Sequence, residues 1–277
     1  MKNKFTAVIL FLVVFMFSCS NKENYPTLGY IYKEHNFKYG KCDSAYNDCV
    51  KINIKTIEIT NSTFPSVKDS IQRKVKEFAL SAAVNEIEYN SFEELQDSIV
   101  ENYKSIRKAI PDMNIGYELN RNVTVTTDTL GVLALKFYQF SFFGGAHPNY
   151  FTEFSNIDLS TGKEIKLNTL LTPGYQDKLN EIGEKKFREL RKLKPDEDLQ
   201  QAGYWFENSK FKLNENFLIT KEGIIFFYNP YEIAPYSYGT CEILIEFTAI
   251  KDLIKSGSIL TRFAEGHEQI LKYENKN

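Results

Sequence analysis

Apolar and polar residues alternate from Tyr30 to Thr60, as in Ile52-Asn53-Ile54-Lys55 and Ile57-Glu58-Ile59. A period of two turns one face to a core and the other to water, so this stretch predicts half-buried strands. The period then changes. Beyond Pro65, Val67, Ile71, Val75 and Phe78 recur at helical spacing through Ala79, which predicts an amphipathic helix with proline in its first turn. A second helix is expected after Ser91. Serine can cap it, Glu94 stands where a capping box needs it, and Phe92, Leu95, Ile99, Tyr103 and Ile106 form its apolar stripe before Pro111. Alternation returns from Ile115 to Thr127.

The second half is richer in strands. Val132 to Phe143 is long and nearly all apolar, which predicts a strand covered on both faces. Gly144-Gly145-Ala146-His147-Pro148-Asn149 interrupts it, and a strand is expected again over Tyr150–Leu159. Ser160-Thr161-Gly162-Lys163 predicts a turn into Glu164–Leu167. Pro173 precedes a helix with Leu179, Ile182, Phe187 and Leu190 expected inward. Phe217–Thr220 and Ile224–Tyr228 are expected to pair through Lys221-Glu222-Gly223, Cys241–Phe247 to form another strand, and Ile250–Ile254 a short final helix. This succession predicts an α+β fold, antiparallel sheets with helices packed on one face. The expected division is a signal segment over 1–18, a tether over 19–27, a small α+β domain over 28–117 and a second α+β domain over 118–277.

The first residues change the picture of where such a fold works. Lys2 and Lys4 precede an uncharged run from Phe5 to Phe17, then Ser18 and Cys19. As a helix that run reaches only ~20 Å against ~30 Å of hydrocarbon, which suits a cleaved signal better than a membrane span. A small residue before cysteine predicts a bacterial lipoprotein signal with lipid on Cys19. The bland alternative is an ordinary signal peptide cut elsewhere. Ser20-Asn21-Lys22-Glu23 resembles the short charged tags that route lipoproteins of Gram-negative bacteria outward. The expected location is therefore the cell envelope, on the outer membrane of such a bacterium, with the membrane reached through the lipid.

The formal charge is −2, with no basic excess, which argues against nucleic acid as a partner. Twenty-two Phe and 17 Tyr against one Trp favour β-structure and leave aromatic surface for a binding face. Cys42 and Cys49 flank a polar loop, a natural disulfide in an oxidising compartment. The alternative, half a metal site, lacks a second pair of soft ligands. Cys241 lies in an apolar strand and is expected to be a buried free thiol.

Chemistry-bearing motifs are sparse. His35, His147 and His267 form no spaced pair for zinc, and there is no nucleophile elbow, Walker loop or dinucleotide fingerprint. No cofactor, metal or catalytic residue is expected. His147 is the one histidine in a suggestive setting, after two glycines and before Pro148-Asn149. It reads either as a ligand contact or general base at a hairpin tip, or as a ring that fixes an irregular loop through backbone bonds. Tyr231, Tyr236 and Tyr238 lie on a loop stiffened by Pro230 and Pro235. They suit glycan stacking or a protein interface, or they simply cap a sheet.

Phe142-Phe143-Gly144-Gly145-Ala146-His147-Pro148-Asn149 and Tyr231-Glu232-Ile233-Ala234-Pro235-Tyr236-Ser237-Tyr238-Gly239 together resemble the signature of the extracytoplasmic domain of the RsiV-like anti-sigma factors. The same domain accompanies the peptidoglycan deacetylase PdaC. Leu159-Ser160-Thr161-Gly162 and Leu167-Asn168-Thr169-Leu170-Leu171 fit the pattern, and the likeness spans roughly Glu118 to Leu271. Phe64-Pro65-Ser66-Val67 and its helix resemble the small domain that precedes it. In the RsiV branch the domain binds lysozyme and triggers sigma-factor release. Sigma-factor control is not expected here, where no sigma-binding segment precedes the signal. In the PdaC branch catalysis belongs to a separate metal-dependent domain. The resemblance thus implies an envelope binding module for lysozyme-like proteins or peptidoglycan fragments, with His147, Asn149, Tyr231, Tyr236 and Tyr238 as binding residues. The rivals are a glycan-modifying enzyme that uses the His147 loop and a structural lipoprotein.

Overall fold

The computed structural model describes residues 25–42, 48–111 and 116–274, with side chains described as far as residue 268. Cys19, the signal segment and most of the expected tether lie outside the described residues. Five strands, β1 (Leu28–Lys41), β2 (Asp48–Ser62), β3 (Tyr117–Thr129), β4 (Val132–Phe142) and β5 (Asn149–Asp158), form one sheet in chain order. All neighbours are antiparallel except β2 and β3, which run parallel. The parallel step is made by two helices, α1 (Pro65–Ala79) and α2 (Phe92–Ala109), because a parallel connection needs a crossover of that length. A second sheet holds β6 (Phe217–Ile219), β7 (Gly223–Tyr228) and β8 (Cys241–Glu246), all antiparallel. The fold is α+β as the pattern predicts. The expected boundary between 117 and 118 falls at the start of β3, and the larger sheet runs across it.

Alternate positions of β4 decide how the layers stack. Leu133, Leu135 and Phe137 pack with Val67, Ile71 and Val75 of α1. Ala134, between them, packs with Phe154, Leu218 and Phe227 from β5, β6 and β7. The long apolar strand is therefore covered on both faces, by a helix and by the other sheet. On β7 the alternation repeats: Ile224, Phe226 and Tyr228 turn to a core shared with Leu179 and Phe187 of α4 (Tyr175–Arg191), while Phe227 turns to the larger sheet.

Asparagines join the two sheets. Asn156 donates to Phe217 O at 2.7 Å and accepts from Ile219 N at 2.9 Å. Asn216 accepts from Phe154 N at 2.9 Å and donates to Thr152 O at 2.9 Å. Asn229 completes the edge of β5, accepting from Thr152 N at 2.7 Å and donating to Thr152 O at 3.0 Å. An amide side chain offers a donor and an acceptor, so it substitutes for the missing strand neighbour.

Arg121 is the largest fully buried side chain, 1% exposed. It sits on the inward face of β3 with Tyr117, Leu119 and Val123. Its guanidinium donates to the carbonyls of Ala79, the last residue of α1, and of Ser81 and Ala82 just beyond it, at 2.7–3.0 Å, and its Nε to Gln139 Oε1 at 2.7 Å. A cation thus satisfies carbonyls that the helix end leaves unpaired, at the negative end of its dipole. Burial pulls its pKa down to about 10, so it stays charged at neutral pH.

Ser91 caps α2, accepting from Glu94 N at 3.2 Å. The Glu94 carboxylate returns to Asn90 N at 2.8 Å, one residue upstream of the usual capping-box partner. Cys42 and Cys49 are bridged, and Cys241 is a buried free thiol. Four local expectations differ. Glu164 makes only a single bridge to Ile157, and Leu167–Leu170 is a short helix (α3), because the chain leaves the sheet to reach α4. Leu190 is exposed, since α4 narrows its buried stripe to Leu179, Gly183 and Phe187. Ile106 of α2 is also exposed. The chain ends its described part not at Ile250–Ile254, where 3₁₀ turns lie, but in a longer helix, α5 (Ile259–Glu274). Among the described residues no helix is long and apolar enough to cross a membrane.

Candidate functional site

The two signature loops leave different sheets and meet. β4 of the larger sheet delivers the His147 loop, and β7 of the smaller sheet delivers the tyrosine loop. Gly144 and Gly145 have φ of +90° and +103°, a region that residues with a Cβ rarely enter, and they release the chain from β4 into the bend before His147. Asn229 pins the start of the second loop to Thr152 of β5 and is itself fixed, its N–H donating to Glu232 Oε2 at 2.9 Å. A 3₁₀ turn over Tyr236–Tyr238 closes that loop.

The imidazole of His147 lies 3.8 Å from the Tyr236 ring, nearly parallel at 19°. Its Nδ1 donates to Pro148 O at 2.8 Å, since a carbonyl can only accept. In the neutral ring Nε2 then accepts from the Tyr231 hydroxyl at 3.2 Å. Tyr231 and Tyr150 flank Tyr236 at 5.7 and 5.5 Å between centroids. Loss of surrounding water, then the hydroxyl of Tyr150, push the Tyr236 phenol up. The result is an aromatic platform of one histidine and three tyrosines. His147 is exposed, Tyr231 is 53% exposed and Tyr236 is half-buried. Tyr231 has φ +66°, a strained backbone for a residue with a side chain. Strain of this kind persists only where the surroundings enforce it, and it concentrates at functional sites.

The other expected binding residues lie apart from this stack. Tyr238 packs edge-on against Tyr204 at 5.4 Å, and its hydroxyl donates to Ala202 O at 3.4 Å. Gly203 is required beneath it: a Cβ there would stand 2.6 Å from that hydroxyl. Asn149 is exposed at the start of β5, opposite Ser141. Among the described residues no cluster of His, Cys, Asp and Glu could hold a metal ion. Sequence reasoning missed Tyr150, whose partner is set by packing, and the asparagines, which carry no local signal of their own. Trp205 was also missed. It is 52% exposed, and its N–H donates to Ile233 O at 2.8 Å inside the tyrosine loop. Its being the single tryptophan was the available signal.

Comparison with known proteins divides the chain at this site. Residues 44–150, which include His147, match the family model described as Deacetylase PdaC. Residues 168–248, which include Tyr231 and Tyr236, match the model described as Protein of unknown function (DUF3298). A curated relative, Esterase Rv3036c of Mycobacterium tuberculosis (strain ATCC 25618 / H37Rv), is 30% identical over 128 residues, 44% of this chain. The chain spans about half of that relative's length, 51%. A DUF3298-family structure from Bacteroides fragilis NCTC 9343 (BF2082) is 23% identical, with TM-score 0.70 over 87% of this chain and 99% of its own. A second, PA4972 of Pseudomonas aeruginosa PAO1, is 20% identical, with TM-score 0.59 over 82% of this chain and 95% of its own. These two likenesses show a shared fold. Taken together, the matches support a domain of the extracytoplasmic type whose function is unknown.

Proposed function

We propose that this protein is a non-catalytic binding module of the bacterial cell envelope, anchored by lipid on Cys19, and that its ligand lands on the His147–Tyr236 platform. The single observation that carries this reading is the stack of His147 on Tyr236 across two loops from different sheets. Its components are half-exposed aromatic rings on rigid backbone, which gain contact area at little entropic cost when a partner docks. The partner is a lysozyme-like protein or a peptidoglycan fragment, the ligands that the sequence resemblance implies. The test is a titration of the soluble form, residues 20–277, with lysozyme and with muropeptides. Tyr236→Ala is expected to weaken binding by tenfold or more, since an aromatic anchor is worth about 2 kcal/mol. His147→Ala weakens it less. Unchanged binding in both variants, with lowered melting temperatures, retires the reading. Loss of fatty-acid labelling in Cys19→Ala tests the anchor.

The esterase name of one relative favours a second reading, hydrolysis at the same loop. The hydroxyl on His147 Nε2 is the Tyr231 phenol, so Tyr231 would be the nucleophile and His147 its base. Turnover of p-nitrophenyl butyrate that disappears in both Tyr231→Phe and His147→Ala supports this second reading. Turnover that survives both sinks it.

A further inference from the structure

The two edges of the larger sheet are finished differently. At the β5 edge, Asn216 and Asn229 give Thr152 and Phe154 the bonds that a strand neighbour would supply. At the other edge, β1 pairs with β2 alone among the described residues. No described side chain bonds the backbone of residues 30–40. The register with β2 runs unbroken from Tyr30 to Lys41. Ile31 and Tyr32 are each 44% exposed. An open edge of this length, free of bulges, is a template for another strand.

The charges on β1 decide which strand fits. Lysine on an edge discourages pairing with a generic apolar strand, but here it complements β1 itself. In a symmetric antiparallel pair one residue stands opposite its own copy, and the others pair about it. With Asn36 at that centre, Glu34 faces Lys38 of the second copy, twice over, and Lys33 faces Tyr39. No like charges meet between residues 31 and 41. Centres at Lys33, Glu34 or Lys38 set a charge against itself, and a centre at Phe37 sets Lys33 against Lys41. A centre at His35 leaves Glu34 and Lys38 unmatched. Glu34, Asn36 and Lys38 lie on the face away from α2, since His35 between them stacks on Phe92 of α2 at 4.4 Å. On that face Glu34 meets Lys55 at 3.5 Å and stays 53% exposed, so a second lysine can reach it. Lys38 is exposed and has no partner among the described residues.

We infer that the β1 edge is a docking surface for a second copy of this chain, the two β1 strands pairing antiparallel about Asn36 to join both larger sheets into one. Main-chain bonds along the edge supply the affinity, and the Glu34–Lys38 pairs fix the register. The inference stands apart from the platform reading, because the platform hangs on the β4–β5 bend, at the opposite side of the sheet.

The test is sedimentation equilibrium of the full chain in density-matched detergent, which is expected to show a monomer–dimer equilibrium. Glu34→Lys and Lys38→Glu should each weaken the dimer about tenfold, because each turns two attractive cross-strand pairs into repulsive ones. The double variant exchanges the charges and should restore it, which a merely damaged fold would not do. His147→Ala leaves the dimer unchanged. Cysteine trapping reads the register. At the two-fold, facing Cα atoms stand about 4.5–5.5 Å apart, within disulfide reach, so Asn36→Cys should crosslink under mild oxidant. Glu34→Cys should not, because its own copy lies about 14 Å away along the strands. Mixed with Lys38→Cys, it should. Cys42 and Cys49 are already bridged and Cys241 is buried, and the parent chain sets the background. A chain that stays monomeric at high micromolar concentration overturns the inference. So does a dimer that ignores both charge reversals, or one that the double variant fails to restore. Crosslinking through Asn36→Cys no greater than in the parent chain also overturns it.

Discussion

Arg121 and His147 each tie distant segments together, Arg121 out of water and His147 in it. Arg121 joins β3 to the end of α1 and to β4 through four hydrogen bonds at 1% exposure. His147 joins the β4–β5 bend to the loop after β7 through one stack and one bond to Tyr231, on exposed surface. A buried cation has no solvent to fall back on, so every group that it serves depends on it. An exposed ring can exchange its contacts for water, or for a ligand. The first node therefore holds the fold. The second is free to bind.

The largest expected effect tests the buried node. Arg121→Met keeps the volume and leaves the carbonyls of Ala79, Ser81 and Ala82 unserved. It should cost about 3–5 kcal/mol and lower the melting temperature by roughly 10 °C in a chain of this size. A drop of under two degrees in a thermal scan would erase the contrast with His147.

Next comes the covalent tie. Reducing Cys42–Cys49 releases a short loop and should cost about 2.5 kcal/mol in the chain-entropy model. Urea midpoints with and without reductant measure it. A cost near zero would mean that Asp48, held by Tyr103 and Arg107 of α2, already fixes this end of β2.

Asn216→Ala should follow at about 2 kcal/mol, because Phe154 N loses its acceptor at the joint between sheets. Chemical denaturation reads the loss, and hydrogen exchange at Phe154 should rise with it. Protection that persists would show that the sheets hold together by apolar packing alone.

The smallest effect belongs to His147→Ala, within about 1 kcal/mol on stability. A melting curve beside a binding titration sharpens the comparison. A loss of several kcal/mol would move His147 into the same class as Arg121, a fold-holding node.

Local pattern made much of this legible. Periods of two and 3.6 located the strands and the helices α1, α2 and α4 but not α5, and Ser91 marked the start of α2 where its side chain does accept a bond. Even Arg121 stood at an inward position of an alternating strand, though nothing local named its acceptors 39 to 42 residues away. The short segments misled. Glu164–Leu167 and Ile250–Ile254 are too brief for periodicity to separate a strand or helix from a bridge or a 3₁₀ turn.

The sequence by itself determined the α+β class, the Cys42–Cys49 pair and the two loops worth watching. Each of these depends on neighbours within a few residues, or on a loop short enough to close. Tertiary structure alone decided that His147 meets Tyr236 and Tyr231. Those contacts span 84 residues between His147 and Tyr231, and they form because β6 docks beside β5 through Asn156, Asn216 and Asn229. Side-chain amides that replace a strand neighbour leave no period in the sequence, so the joint that builds the platform becomes visible only once the chain is folded.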